Sequence, residues 1–188
     1  MVKDTIRKAR PSDASHIRKL IEYYASRDQM LARSLSYIYE HIRDFTVYVR
    51  GGKIIGCCAL YVTWRDLAEI KSLAVDPNYV KQGIGSKLLK ACLNEAKALG
   101  VPRVFTLTVA PVFFTKNGFK KTPKNRLPMK IWGECINCNK YPECGFSVWN
   151  RPISQPCPEC GGLVVEAGKN KHKCTKCETV FELEEAVE

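Results

Sequence analysis

Two Cys-x-x-Cys pairs near the C-terminus place the strongest constraint on how this chain folds. Thirteen residues separate the pair Cys157 and Cys160 from the pair Cys174 and Cys177. Two such turns present four thiolates as a tetrahedron, and a bound zinc ion supplies the folding energy that a module of about 35 residues lacks. Residues 151–188 are therefore predicted to form a small C-terminal zinc ribbon, with strands at 163–165 and 179–181.

The remaining cysteines fall into two groups. Three precede the ribbon and offer only three thiolates: Cys135, Cys138 and Cys144. A fourth metal ligand would have to come from elsewhere in the chain, a partner chain or water, and the alternative is a reduced, locally packed cluster. Residues 133–150 are accordingly interpreted as a cysteine-containing connector. Three others lie in apolar segments and are predicted to be core residues: Cys57, Cys58 and Cys92.

The positive charge of the chain is concentrated before the ribbon. Of the net charge of +11, residues 1–150 carry +13 and residues 151–188 carry −2. An excess of positive charge of this size indicates that the protein binds a polyanion or an anionic cofactor. The N-terminus lacks an apolar signal sequence, and the longest apolar stretch, residues 54–62, is too short for a membrane span. We therefore expect a cytoplasmic protein with no membrane contact, in which clustered cysteines bind metal.

Hydrophobic periodicity predicts a mixed-sheet α/β domain over residues 1–132. The predicted order of elements is β-α-α-β-β-β-α-β-α-β. The strongest helix, residues 83–99, carries one apolar stripe and is closed by Gly100. Gly51 and Gly52 predict a tight hairpin turn, and Pro77 ends the strand that precedes the helix.

The loop between that strand and the helix is the most informative segment of the domain. Gly83 and Gly85 let backbone N–H groups approach an anion, and the helix N-terminus adds positive potential. Lys81 and Lys87 add charge, so a diphosphate fits this geometry. The alternative is a loop that needs glycine only for its turn. Neither glycine spacing matches the dinucleotide fingerprint or the nucleotide P-loop.

The segment Val80-Lys81-Gln82-Gly83-Ile84-Gly85, together with residues 113–119 downstream, resembles the GNAT acetyltransferase superfamily. The likeness covers Thr5 to about Thr122 and implies a GNAT-like mixed central sheet flanked by helices, with acetyl-CoA as cosubstrate. The family has Arg or Gln where this chain has Val80, which implies weakened rather than lost binding. The resemblance implies coenzyme A contacts for Leu73, Val75, Val80, Lys81, Gln82, Gly83, Ile84, Gly85, Ser86 and Phe114.

A narrower likeness lies within that superfamily. The segments at residues 30–34, 42–45, 56–60, 67–70, 127–128 and 130–132 are similar to the N-acetylglutamate synthase type, and residues 130–144 resemble the tail of its short bacterial form. This resemblance implies transfer of an acetyl group to the α-amino group of an amino acid, glutamate first, in arginine biosynthesis.

Acetyl transfer needs a neutral amine, and Glu69, in an otherwise apolar strand, is the best candidate for the base that deprotonates it. Burial would raise the pKa of this carboxyl group and suit it to the task. The alternative is an exposed carboxylate that pairs with Arg65 or Lys71. Many relatives have a tyrosine general acid where this chain has Phe114, so we expect solvent to protonate the leaving thiolate.

Two cations are candidates for holding the carboxylate groups of the substrate. Arg33 resembles the family position that does so, and a guanidinium fork suits that ligand; the alternative is a solvated charge at a helix start. Lys71 is a candidate second cation, although an ordinary surface lysine is the simpler interpretation.

The tail resembles a second family. Residues 141–162, including Cys157-Pro158-Glu159-Cys160-Gly161-Gly162, are similar to the zinc-finger tail of bacterial topoisomerase I, whose fingers contact single-stranded DNA. Tyr141, Phe146 or Trp149 could stack on bases, but the net charge of −2 argues against phosphate contacts. Two alternatives stay open: a protein or peptide acetyltransferase recruited by the ribbon, and a nucleic-acid-binding protein with a degenerate acetyltransferase domain.

Overall fold

The computed structural model describes residues 3–123, 146–153, 157, 159–160, 164–168, 171–174 and 176–182. Four helices lie in the first of these ranges: α1 (Ala14–Ala25), α2 (Leu35–Glu40), α3 (Ile84–Ala98) and α4 (Pro111–Lys116). Seven strands form a central sheet: β1 (Asp4–Lys8), β2 (Phe45–Arg50), β3 (Lys53–Trp64), β4 (Leu67–Val75), β5 (Arg103–Thr108), β6 (Lys120–Lys121) and β7 (Ser147–Pro152). The predicted element order is confirmed as far as β6.

The sheet is mixed, as predicted. Its strand order is β1-β2-β3-β4-β5-β7-β6, and only β4 and β5 run parallel to each other. The hairpin between β2 and β3 turns at Gly51 and Gly52, where Arg50 pairs with Lys53. Because a two-residue loop with both φ angles positive matches the twist of the flanking strands, this turn has the form that the glycine pair predicted.

Helices cover both faces of the sheet. On one face, α1 and α2 bury Ile17, Ile21 and Ile38 against side chains of β2, β3 and β4. On the other face, α3 buries the apolar stripe that the sequence predicted, which includes Ile84 and Leu88, against the same strands. A site built on β4 would therefore have α1 and α2 on one side and α3 on the other.

The strand β7 spans the predicted boundary between the connector and the ribbon. Residues 147–150 of the predicted connector and residues 151–152 of the predicted ribbon form one strand, which pairs with β5 along its whole length and with β6 on its other edge. Val148 is buried against Phe105 and Leu67, and the Ile153 N–H donates to the Pro102 carbonyl. Trp149, a candidate for base stacking, is half-buried against the core, and its indole N–H donates to Ser147 Oγ.

A second, three-stranded antiparallel sheet contains the C-terminal cysteine pairs. It consists of β8 (Val164–Gly168), β9 (Lys171–Cys174) and β10 (Val180–Glu182), with β9 in the middle. Two of these strands were predicted close to their observed positions, and β9 was not predicted. Among the described helices, none has the length and hydropathy required to cross a membrane.

The position of β7 predicts where the chain can be shortened. A chain ending at Ile153 keeps every strand of the central sheet and should unfold cooperatively on heating. A chain ending at Phe146 exposes Phe105 and the edge of β5, and it should lose cooperative unfolding because an inner strand is missing. Circular dichroism melts of the two truncated proteins test this, and equal melts would contradict the role assigned to β7.

Candidate functional site

The two parallel strands at the centre of the sheet separate after three residue pairs. Leu67 to Glu69 of β4 pair with Arg103 to Phe105 of β5, and Glu69 opposite Phe105 is the last pair. The strand β4 then continues to Val75, and within the described ranges no strand pairs with it on this edge beyond Glu69. We call the opening the β4–β5 cleft. Glu69 lies at its apex.

Backbone groups of β4 face this cleft. The Asp76 N–H donates to the Ile55 carbonyl of β3 at 2.8 Å. Because successive residues of a strand direct their backbone groups to opposite edges, the N–H and C=O of Val75 face the cleft, as do those of Leu73. The side chains of Leu73 and Val75 pack against the core beneath α3. Both residues can therefore offer main-chain hydrogen bonds to an extended ligand.

A β-bulge sets this orientation. Cys57 pairs with Ala74 and Ala59 pairs with Lys71, so Ser72 and Leu73 together face Cys58. Ser72 has a φ of 52°, in the left-handed region, which is uncommon for a residue other than glycine. The extra residue turns the end of β4 relative to its start.

The glycine loop leads directly from the cleft to α3. Lys81 and Gly83 have φ angles of 62° and 74°. A side chain at Gly83 would meet no atom within 4 Å, so the space in front of the loop is open. The first N–H groups of a helix have no partner within it, which leaves those of Ile84, Gly85 and Ser86 available to an anion. Loop and helix together can hold a diphosphate.

The second glycine of the loop, Gly85, is explained by packing against an aromatic ring. A Cβ atom at Gly85 would lie 3.3 Å from the ring of Phe113, a residue that the sequence did not single out. Phe113 meets Phe114 edge to face, and Phe114 meets Phe119 in the same way. Phe114 is buried in this stack. It provides no hydroxyl group to protonate a leaving thiolate.

Glu69 forms an ion pair with Lys71. The Glu69 Oε2 atom lies 3.5 Å from Lys71 Nζ, and their side chains are only 12% and 8% exposed. Lys71 Nζ also lies 4.1 Å from the ring centroid of Tyr61, which is opposite Glu69 on β3. Glu69 therefore pairs with Lys71, as the alternative interpretation had it, but its side chain is largely buried and not exposed. The interpretation of Lys71 as an ordinary surface lysine is wrong, because its side chain is also largely buried.

Arg33 approaches the same group of residues from the start of α2. Its guanidinium carbon lies 4.5 Å from the ring centroid of Tyr37, and Lys71 Nζ lies 5.9 Å from the same centroid. We call Arg33, Tyr37, Tyr61, Glu69 and Lys71 the Glu69 cluster. It combines two cations and one carboxylate with two aromatic rings, which suits a ligand that carries carboxylate groups and an amine.

Further aromatic residues border the Glu69 cluster and the cleft. The His41 ring lies 4.3 Å from that of Tyr37 and 5.5 Å from that of Tyr61, and its Nδ1 atom is 3.2 Å from Asp44 Oδ2. The Tyr24 hydroxyl of α1 donates to the Val75 carbonyl, which faces the cleft. Burial raises the pKa of Tyr24, so its hydroxyl stays protonated.

The three cysteines of the domain lie in its core, as predicted. Cys57, Cys58 and Cys92 are fully buried. Burial raises the pKa of Cys57 to about 12. The pKa of Cys58 is also raised, first by its hydrogen bond with Cys92 and then by burial. Neutral thiols of this kind are poor nucleophiles.

The C-terminal sheet brings together the four cysteines that the spacing selected. The Sγ atoms of Cys157, Cys160, Cys174 and Cys177 all lie within 4.8 Å of one another. The Cys157–Cys177 and Cys160–Cys174 distances are 3.6 Å and 3.5 Å. Ligands at the zinc–sulfur distance of about 2.3 Å in a tetrahedron lie about 3.8 Å apart, so the arrangement fits a zinc ion.

The polar surroundings of these thiols favour the thiolate form that binds metal. The backbone N–H groups of Cys177 and Lys176 point at Cys174 Sγ, and they lower the pKa of Cys174. The Thr179 hydroxyl lowers the pKa of Cys177 to about 6. The other candidate ligands, Cys135, Cys138 and Cys144, lie outside the described residues.

Comparison with known proteins agrees with this geometry. Residues 41–121 match the acetyltransferase (GNAT) domain family. Over 139 residues the chain is 43% identical to an N-acetyltransferase of Chlorobaculum tepidum. The aligned region covers 74% of this chain and 90% of that relative. The chain belongs to the GNAT family of acetyltransferases. It is therefore an acetyl-CoA-dependent N-acetyltransferase with a GNAT-like mixed sheet.

Two further matches come from Mycobacterium tuberculosis. The present chain is 35% identical to the amino-acid acetyltransferase of that organism, and the alignment covers 72% of this chain and 78% of that one. The crystal structure of the M. tuberculosis protein Rv2747 with CoA and NLQ has a TM-score of 0.70 and 30% identity, covering 79% of this chain and 98% of that one.

A larger enzyme shares the same domain. The structure of N-acetylglutamate synthase from Neisseria gonorrhoeae with coenzyme A and N-acetyl-glutamate has a TM-score of 0.75 and 27% identity. The match covers 82% of the present GNAT chain but only 36% of that enzyme. The present chain therefore corresponds to one part of the longer synthase.

Proposed function

We propose that this enzyme acetylates the α-amino group of a free amino acid, glutamate first, and so acts in the cytoplasm as an N-acetylglutamate synthase in arginine biosynthesis. The observation that carries the proposal is the Glu69 cluster, in which Arg33 and Lys71 both lie against the ring of Tyr37. Glutamate has two carboxylates and one amine, which complements two cations and one carboxylate. Arg33 and Lys71 would hold the carboxylates and leave the amine for Glu69.

Glu69 is proposed as the general base. Its carboxyl group lies 3.5 Å from Lys71 Nζ, and a carboxylate can accept a proton from the incoming ammonium group of the substrate. Glu69 lies at the apex of the β4–β5 cleft, so it would be beside the end of an acyl group that extended along β4. The proton would pass from the amine to a Glu69 oxygen as the new amide bond forms.

The remaining chemistry is assigned to backbone groups and solvent. The cleft-facing N–H groups of Leu73 and Val75 would hold the acyl arm and polarise the thioester carbonyl. The loop residues Val80 to Ser86 would hold the diphosphate through their amides, as the open space in front of Gly83 allows. Because Phe114 has no hydroxyl group, the leaving thiolate would take its proton from solvent.

Named relatives support the choice of acceptor. One is the amino-acid acetyltransferase of M. tuberculosis, and the N. gonorrhoeae synthase is described with N-acetyl-glutamate in one structure and with L-arginine in another. N-acetyl-glutamate carries the two carboxylate groups that Arg33 and Lys71 would hold.

We further propose that Cys157, Cys160, Cys174 and Cys177 hold one zinc ion and that the ribbon is structural. Each of the two cysteine pairs supplies one buried ligand, Cys157 and Cys174, and the strands β8 to β10 are short. Cross-linking by a metal would supply the stability that so small a sheet lacks. A structural zinc with four thiolates has no open position for catalysis.

The proposed acceptor can be tested by measuring thiol release from acetyl-CoA. Glutamate should stimulate release more than other amino acids or peptides do. Arg33→Met should raise the KM for glutamate about tenfold, because one charge-assisted hydrogen bond is lost, and leave the KM for acetyl-CoA unchanged. Arg18→Met, which removes an exposed arginine of α1, is the matched control. Stimulation by peptides but by no free amino acid would contradict the proposal.

The role of Glu69 predicts a characteristic pH dependence. Glu69→Gln keeps the shape of the side chain and should lower kcat about 10²- to 10³-fold at neutral pH. The loss should shrink as the pH approaches the amine pKa of about 9 to 10, because the neutral amine then forms without a base. Asp66→Asn, at an exposed carboxylate near the start of β4, is the control. A kcat within twofold of wild type would exclude Glu69 as the base.

The zinc proposal predicts metal content and its consequence. Elemental analysis of the full chain should find one zinc per chain, and a second would be assigned to Cys135, Cys138 and Cys144. Cys174→Ser should lose the ribbon zinc and make the C-terminal segment sensitive to protease, because the ligand set is broken. Turnover by the acetyltransferase domain should persist in this variant. A metal-free wild-type chain with a protease-resistant ribbon would contradict the proposal.

A further inference from the structure

A polar network links the N-terminal strands to the glycine loop. Arg50, the last residue of β2, binds Asp4 of β1 through two hydrogen bonds, Nε to Oδ1 and Nη2 to Oδ2, each 2.8 Å long. The Tyr48 hydroxyl donates to the same carboxylate at 2.8 Å. The Asp4 contact raises the pKa of Arg50, and Arg50 and Tyr48 lower that of Asp4. The guanidinium is therefore held charged and in one orientation.

The third nitrogen of this guanidinium reaches the loop. Arg50 Nη1 donates to Gln82 Oε1 at 2.8 Å, and the guanidinium carbon lies 5.6 Å from the ring centroid of Tyr79. Tyr79 and Gln82 lie on either side of Val80 and Lys81. Arg50 thus contacts the loop at two positions, three residues apart. The Gln82 Oε1 atom is directed at Arg50, and a coenzyme would meet the backbone N–H of Gln82.

The loop conformation needs such a contact. Lys81 has a φ of 62° and Gly83 a φ of 74°, so Gln82 lies between two left-handed residues. A left-handed residue other than glycine is unfavourable in isolation and persists where its surroundings fix it. The N–H groups of the loop converge on one anion only while this conformation is kept. The Arg50–Gln82 hydrogen bond restrains the loop at the residue between the two turns.

We propose that Arg50 is a positioning residue for the diphosphate of acetyl-CoA, acting through Gln82 to hold the glycine loop in its anion-binding conformation. Asp4 and Tyr48 orient Arg50 in turn. The proposal concerns the coenzyme alone, so it stands whichever amine the enzyme acetylates. The rival is a direct contact between Arg50 and a phosphate group, for which Gln82 would be irrelevant.

Binding of coenzyme A to the full chain, measured by calorimetry without an acceptor, separates these cases. Arg50→Met and Gln82→Leu should each weaken binding about three- to tenfold, because either change removes the same restraint. The double variant should be no weaker than the weaker single one, since the two side chains act as a unit. Inorganic pyrophosphate, used as a competitor for the loop, should lose affinity by the same factors.

The control is Arg103→Met, which removes an exposed arginine that pairs with Asp66 at the opposite end of β4 and β5. It should leave the Kd for coenzyme A unchanged. Melting temperatures of the ligand-free variants monitor the fold, and a positioning role requires the affinity to fall without a matching loss of thermal stability.

Three outcomes would overturn the proposal. An unchanged Kd for coenzyme A in Gln82→Leu would show that Arg50 does not act on the loop through Gln82. This variant tests the proposal even if Arg50→Met does not fold. Additive losses in the double variant would assign Arg50 a direct phosphate contact. A loss of coenzyme A affinity with unchanged pyrophosphate affinity would place the effect outside the loop.

Discussion

The short parallel contact between β4 and β5 is the constraint on which the candidate site depends. Three residue pairs join the two halves of the sheet, and the strands then part. A strand edge inside a domain carries backbone N–H and C=O groups that must find partners. At Val75 the Tyr24 hydroxyl supplies one such partner, and an extended coenzyme arm would supply others. The same separation brings the end of β4 and the N-terminus of α3 to one opening, so the thioester and the diphosphate can be held by one continuous stretch of chain.

Most of the fold could be predicted because it follows from local sequence patterns. The α3 stripe, the Gly51-Gly52 turn and the order of elements to β6 all follow from periodicity and turn chemistry. The strand β7 could not be found in this way. Its residues include Asn150, Arg151 and Pro152, which resemble a loop, and it is held in place by β5, about 40 residues earlier in the chain. Its proximity to the cysteines favoured a connector instead.

The candidate site likewise contains some residues that could be predicted from the sequence and others that could not. The four ribbon cysteines could be selected from their spacing and Glu69 from its place in an apolar strand, whereas Arg33 was selected through the family resemblance. Tyr37 and Tyr61 could not, since an aromatic residue on a helix or strand is equally typical of a core. Only the tertiary fold places both rings against Lys71. Burial of Lys71 was missed for a related reason: the sequence cannot show that α2 and β3 cover it.

The bulge at Ser72 changes the face of the sheet on which the later side chains of β4 lie. In a regular strand Glu69, Lys71, Leu73 and Val75 would all lie on one face, because side chains alternate. The extra residue reverses the alternation, so that Lys71 reaches Tyr37 while Leu73 and Val75 pack beneath α3. The side chains proposed for acid–base chemistry and the residues proposed to hold the coenzyme therefore lie on opposite faces of the same strand, although they are close along the chain. Evolution can exchange the side chains of this strand one at a time, but insertion or loss of a single residue would interchange the two faces of everything beyond it.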